Sequence, residues 1–210
     1  MIPRTLDRRT IHGPTGKLEV AINTPNEIRG IALVAHPNPL EGGTLDNKVV
    51  YTLAKAFFQF GFVAVRFNYR GVGKSEGTWG NGDGEVADAQ CVLEYARSCY
   101  PQTRDLPLAL AGFSFGTYVQ ARVAQQETPA IMVFVGTAAK RFAMENVPEH
   151  TLAIHGENDE VIPLTDVLDW ARPQQLPVLV VPGCGHFFHR RLVQLKNIVA
   201  QHIAGRLAAR

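Results

Sequence analysis

Apolar and polar positions along the chain follow two rhythms, with a change near residue 30. Before it, residues 8–12 and Lys17-Leu18-Glu19-Val20-Ala21-Ile22-Asn23 alternate around Gly13-Pro14-Thr15-Gly16. Period-two alternation puts one face of a strand in a core and the other in water, so two such runs about a Gly/Pro turn predict an antiparallel hairpin with one wet face. After it come short unbroken apolar runs: Gly30-Ile31-Ala32-Leu33-Val34-Ala35, then 62–67, 108–111, 131–135, 151–155 and 178–181. Runs of that length without alternation are strands buried on both faces. The intervals between them predict helices over about 46–60, 84–98, 117–124, 164–170 and 188–207. Strand alternating with helix predicts an α/β fold, with a mostly parallel central sheet, helices on both faces and the N-terminal hairpin at an antiparallel edge. No repeat, linker or low-complexity stretch divides residues 1–210, so a single domain is expected.

Composition narrows the partners rather than the fold. A net charge of +2 with scattered arginines gives no nucleic-acid footprint. Arg190, Arg191, Lys196, Arg206 and Arg210 are expected on the last helix as a solvated face. Residues Met1–Arg9 lack the apolar core of a signal peptide, and no apolar run approaches the ~20 residues of a membrane span. Three cysteines, Cys91, Cys99 and Cys184, have no metal-ligand spacing and are expected as reduced thiols, which points to the cytoplasm. No metal, organic cofactor, nucleic acid or membrane is expected as a partner, and the chain is expected as a monomer or homodimer.

The stretch Leu108-Ala109-Leu110-Ala111-Gly112-Phe113-Ser114-Phe115-Gly116-Thr117-Tyr118 carries the chemistry. It runs from a buried strand through Gly-x-Ser-x-Gly into a helix. A serine on so sharp a turn is strained, and side chains at positions 112 or 116 would collide with the adjoining elements. Its hydroxyl stands at a helix N-terminus, where the dipole favours developing negative charge. A hydroxyl at neutral pH needs a base, and histidine is suited to it. His186 follows the run 178–181 in a Gly-rich loop, with His189 as reserve, whereas His155 lies inside a strand as a core histidine. A carboxylate must hold the imidazole tautomer. Asp159 follows the run 151–155, with Glu157 and Glu160 as rivals, and chain order favours Ser114…Asp159…His186 on successive loops at the carboxyl ends of strands.

Gly71-Val72-Gly73-Lys74-Ser75 ends like a phosphate-binding loop, but Asn68 stands where that motif needs glycine. This stretch is expected to border the site mouth, with Arg70 in a structural network. Cys184 has no elbow about it, and Trp79 and Trp170 are expected as core.

The elbow, together with Gly156-Glu157-Asn158-Asp159-Glu160-Val161-Ile162-Pro163, Gly183-Cys184-Gly185-His186, His36-Pro37-Asn38-Pro39-Leu40-Glu41-Gly42-Gly43 and Asn68-Tyr69-Arg70-Gly71-Val72-Gly73-Lys74-Ser75-Glu76-Gly77, resembles the α/β-hydrolase fold over nearly the full chain. Within it the chain is similar to small bacterial serine hydrolases of the dienelactone-hydrolase-like or acylpeptidase-like group. The oxyanion of a tetrahedral intermediate needs backbone N–H donors. Phe115 supplies one, as the residue after the nucleophile. The loop after residue 35 supplies the other, and prolines 37 and 39 cannot donate. Of His36, Asn38 and Leu40, Asn38 matches the family's donor position, although many relatives carry glycine where this chain has Pro37. Segment 136–150 is too short for the helical cap of many relatives, so an open, uncapped site is expected. The resemblance implies a serine esterase of the carboxylesterase type that cleaves carboxylic ester or thioester bonds of small acyl substrates, with a peptidase or amidase, or a non-catalytic binding protein, as alternatives.

Overall fold

The computed structural model describes residues 5–209, so residues 1–4 of the N-terminal segment, and Arg210, lie outside it. Strands β1 (Thr5–Gly13), β2 (Gly16–Thr24), β3 (Gly30–Ala35), β4 (Phe62–Phe67), β5 (Leu108–Phe113), β6 (Ile131–Val135), β7 (Leu152–Gly156) and β8 (Val178–Val181) form one sheet in the order β1-β2-β4-β3-β5-β6-β7-β8. From β4 to β8 every pairing is parallel, while β1 with β2 and β2 with β4 are antiparallel. Helices α1 (Lys48–Gln59), α2 (Asp83–Cys99), α3 (Phe115–Val123), α4 (Leu164–Ala171) and α5 (Leu192–Ala208) cover it. The central strands sort their side chains by parity, as a pleated sheet must. Ile31, Leu33, Leu108 and Leu110 enter the core under α2, α3 and α4. Ala32, Val34, Ala109 and Ala111 enter the core under α1 and α5. Among the described residues no cap domain is inserted after β6, since β7 is the next element.

Two expectations are corrected. The hairpin does not have one wet face throughout: Leu18, Glu19, Val20, Ala21 and Ile22 are all buried. The reason is that the segment after β4 closes on β2, the Glu19 N–H donating to Ser75 Oγ at 2.8 Å, and of the two hairpin strands only β1 is left at an edge. Buried Glu19 accepts from Asn68 Nδ2 at 2.8 Å and from the Lys74 N–H at 3.0 Å, so this polar residue anchors the 68–75 segment instead of meeting water. The last helix begins at Leu192, not 188. Phe188 and Arg190 adopt φ of 52° and 61°, which a helix cannot contain. Arg190 and Arg191 thus belong to the preceding turn.

Strand order also sets the place for a ligand. From β3 the chain leaves through α1 to β4 on one side, whereas β5, on the other side of β3, leaves into α3 on the opposite face. Connections that diverge in this way open a crevice at the carboxyl ends of β3 and β5. Bordering it, Arg70 is tied as expected into a buried network, its Nη2 2.7 Å and its Nε 3.0 Å from the Asp88 carboxylate. Trp79 packs on Phe115 with ring centroids 5.2 Å apart.

Candidate active site

β5 turns into α3 through Ser114, whose φ of 54° and ψ of −122° cost a residue other than glycine on the order of 1–3 kcal/mol. Hydrogen bonds hold it there. The Ser114 N–H donates to the Val135 carbonyl at 2.9 Å, and the Ser114 carbonyl accepts from the Thr117 N–H at 2.8 Å and from Thr117 Oγ1 at 2.7 Å. A Cβ on Gly112 would lie 2.3 Å from the Gly116 carbonyl oxygen, and one on Gly116 2.4 Å from that of Ala35. Only glycine at both positions lets α3 start this close to β5 and β3.

His186 lies in the loop between β8 and α5, 2% exposed, its ring 4.8 Å from that of Phe113. Its Nδ1 is 2.7 Å from Asp159 Oδ2. Asp159 Oδ1 accepts from the Val161 N–H at 2.9 Å and the Ile162 N–H at 2.7 Å. Burial pushes the Asp159 carboxyl upward, but the hydrogen bonds of His186, Ile162 and Val161 together outweigh it and hold the group below its ordinary value. An ionised carboxylate only accepts, so Nδ1 carries the proton and Nε2 keeps its lone pair. The rival acids are engaged elsewhere: Glu157 accepts from the Gly183 N–H at 2.8 Å, and Glu160 from the His186 backbone N–H at 3.1 Å. His189 is exposed and does not reach Asp159 among the described hydrogen bonds.

Ser114 and His186 meet at the Val135–Gly136 peptide. The Ser114 N–H binds its carbonyl, and a Cβ on Gly136 would stand 3.0 Å from His186 Cε1. Gly136, missed in the sequence, is the residue whose missing side chain admits the imidazole; its one signal was a glycine directly after an apolar run. Among the described residues no hydrogen bond joins the Ser114 hydroxyl to His186, a leg that in free enzymes is often long and tightens when substrate binds.

His155 is a hydrogen-bonded core histidine, as its place inside a strand predicts, and it has a further part. Fully buried on β7, it places Nε2 2.9 Å from the Ile162 carbonyl and 3.4 Å from Asp159 Oδ2. The ring thus clamps the residue whose N–H grips Asp159, and sets a positive edge beside the carboxylate. Nothing in a strand's alternation distinguishes such a histidine from a packed one.

The loop after β3 places Asn38 at the head of a 3-10 turn, Pro39–Glu41. Asn38 Oδ1 accepts the Leu40 N–H at 3.1 Å, which removes Leu40 as a free donor. Neither the Asn38 nor the Phe115 N–H has a protein acceptor among the described residues. Buried His36 orients this peptide: the Tyr69 N–H donates to its Nε2 at 3.2 Å, so Nδ1 carries the proton and donates to the Pro37 carbonyl at 2.7 Å. In a trans peptide the N–H opposes the carbonyl, so holding the Pro37 carbonyl aims the Asn38 N–H the other way.

Burial pushes the His36 pKa down to about 3, against 6.5 for a free imidazole. The unfolded chain therefore takes up a proton in that interval and the folded one does not, so stability is full above about 6.5 and falls as pH drops. His202, pushed down to about 4, and His150, pushed the same way, both by burial, add to the slope. Calorimetry should show Tm falling between pH 6.5 and 5, above the carboxylate range, with a shallower slope in His36→Gln. Equal slopes in the two proteins would refute this account.

Comparison with known proteins agrees with the fold. Residues 41–146 match the family described as serine aminopeptidase, S33. The structure of XC6422 from Xanthomonas campestris, an α/β serine hydrolase without a lid, superposes with a TM-score of 0.88 at 35% identity, covering 96% of this chain and 95% of that one. An α/β serine hydrolase homologue from Coxiella burnetii gives 0.82 at 37% identity, covering 96% and 98%. An uncharacterized protein of Rickettsia prowazekii, RP471, is 29% identical over 91% of this chain and 86% of its own. Likeness at this identity over almost the whole length carries more than shared architecture, and the chain belongs to the α/β hydrolase superfamily, as a serine hydrolase built without a lid.

Proposed function

We propose that this hydrolase cleaves carboxylic ester or thioester bonds of small acyl substrates through a Ser114–His186–Asp159 triad. The observation that carries the reading is the 2.7 Å pair of His186 Nδ1 and Asp159, buried beside a serine held in elbow geometry. Ser114 Oγ attacks the acyl carbon while His186 Nε2 takes its proton. The tetrahedral oxyanion accepts from the Asn38 and Phe115 N–H groups. Collapse breaks the bond to the leaving oxygen or sulfur, which takes the proton from His186 and departs as alcohol or thiol. Water, deprotonated by the same imidazole, then attacks the acyl-enzyme, releasing the acid and restoring Ser114. Each step is assigned to the chain's own groups.

A peptidase reading has one observation in its favour, the description of the matched family. An aminopeptidase needs a free carboxylate for the substrate's ammonium group. Around the site Glu41 pairs with Arg141 at 2.6 Å, and Glu157 and Glu160 hold backbone N–H groups, which favours esters. The test is a fluorophosphonate probe read by intact mass and peptide mapping, with a panel of short-chain p-nitrophenyl esters, thioesters and aminoacyl anilides. One adduct on Ser114 and turnover of esters or thioesters above anilides are expected. A serine that neither reacts nor supports turnover would instead fit a non-catalytic binding protein.

A further inference from the structure

Beyond Phe187, the residue after His186, lies a cavity of about 380 Å³ whose wall includes Asn47, Lys48, Phe187, His189 and Arg190. It is bounded by the continuations of the two loops that bracket the reacting centre. On one side is the chain after Asn38, tied back by the Gly43 N–H to the Asn38 carbonyl at 2.9 Å. On the other is the turn after His186. Phe187 is the shared wall, its ring 5.1 Å from that of His186 and 5.8 Å from that of His189.

The charge of this cavity is uncompensated. Lys48 and Arg190 take part in none of the ion pairs of the described residues. The acid on the wall, Asp46, is already engaged, 2.5 Å from Arg8 and 3.5 Å from Arg66. Asn47 Oδ1 occupies the first amides of α1, Val49 and Val50, so the positive field comes from the side chains, not from bare N–H groups. Fully buried Phe188, in a left-handed conformation, pins the turn that presents His189 and Arg190.

Orientation follows from the chemistry. His186 Nε2 returns its proton to the departing atom, so the leaving group exits on the imidazole side, and Phe187, 5.1 Å from that ring, is the wall that the cavity shares with it. We infer that the enzyme favours esters or thioesters whose leaving alcohol or thiol bears an anionic group, a carboxylate or a phosphate, held by Lys48 and Arg190. This inference rests on the triad proposed above.

The experiment keeps the acyl group fixed and changes only the leaving group. It uses methyl 4-acetoxybenzoate as the neutral substrate, 4-acetoxybenzoate as the carboxylate and 4-acetoxyphenyl phosphate as the phosphate. In a Lys48→Gln/Arg190→Gln protein the anionic-to-neutral ratio of kcat/KM should fall about tenfold, as expected for two solvent-exposed charges. Added salt should compress the same ratio in the unmodified protein. The larger fall, for carboxylate or for phosphate, identifies which anion the cavity fits. In parallel, 4-hydroxybenzoate and 4-hydroxyphenyl phosphate are titrated calorimetrically into Ser114→Ala protein with and without the two substitutions, and about tenfold weaker binding is expected when the cations are gone. An unchanged ratio, or equal binding by the two proteins, overturns the inference. Absence of all turnover and of fluorophosphonate labelling would defeat the triad instead, and the calorimetric comparison would still decide whether the cavity holds anions.

Discussion

Ser114→Ala should lower kcat for a short-chain p-nitrophenyl ester by on the order of 10⁴-fold or more, because the acyl-enzyme of the proposed mechanism forms on its hydroxyl. Strain and chemistry can be separated at this residue. Alanine is as poorly suited as serine to φ 54° and ψ −122°, so Ser114→Ala should leave Tm close to that of the unmodified protein. Ser114→Gly should be equally inactive yet more stable by about 1 kcal/mol, since glycine occupies that region without the steric cost. Glycine's extra freedom in the unfolded chain offsets part of the gain. Thermal melts with initial rates decide both points. Substantial activity in either variant would remove Ser114 from the mechanism, and a lower Tm for the glycine variant would show that the elbow stores no strain.

Asp159→Asn should lower kcat by about 10⁴-fold with little change in KM. The amide can still accept from Val161 and Ile162, so the turn survives. It can also turn its NH₂ toward His186, and Nδ1 then becomes the acceptor and Nε2 carries the proton. An imidazole in that tautomer cannot take a proton from Ser114. The same variant has a signature in stability. The folded Asp159 carboxyl titrates below its unfolded value, so its contribution is complete above about 3.9 and is lost as pH falls below that. Asp159→Asn has no such proton to gain, and its melting temperature should fall less steeply in that acid range. A variant with near-normal kcat would place the orienting acid elsewhere, with Glu157 and Glu160 the residues to examine.

Much of this architecture was legible before any coordinates. Unbroken apolar runs announced strands covered on both faces, because a residue in the middle of a layered sheet has no route to water; β3, β4 and β6 are buried throughout, whereas β8 falls on its run but lies at the sheet edge with Leu179 exposed. The elbow was legible because local sterics demand it: two glycines about one serine are what a strand-to-helix turn this tight can accommodate. The hairpin's wet face fails because alternation reports on a strand's own pattern, whereas burial of Glu19 depends on Asn68, Lys74 and Ser75, which arrive 49, 55 and 56 residues later.

Within the site the division is sharper. The residue types and their order along the chain already supplied the alcohol, the imidazole and a short set of acids, since those chemistries belong to the side chains themselves. Asp159 is favoured over Glu157 and Glu160 by chain order alone, and the fold adds which nitrogen each reaches: the His186 ring for Asp159, and the Gly183 and His186 backbone N–H groups for the two glutamates. The fold also adds His155 behind Asp159, Gly136 beneath the imidazole and the cationic cavity beyond Phe187. The imidazole over Gly136 and the cavity join segments far apart in the chain, whereas His155 reaches Asp159 and Ile162 only four and seven residues on, through a turn whose shape β7 and its loop decide.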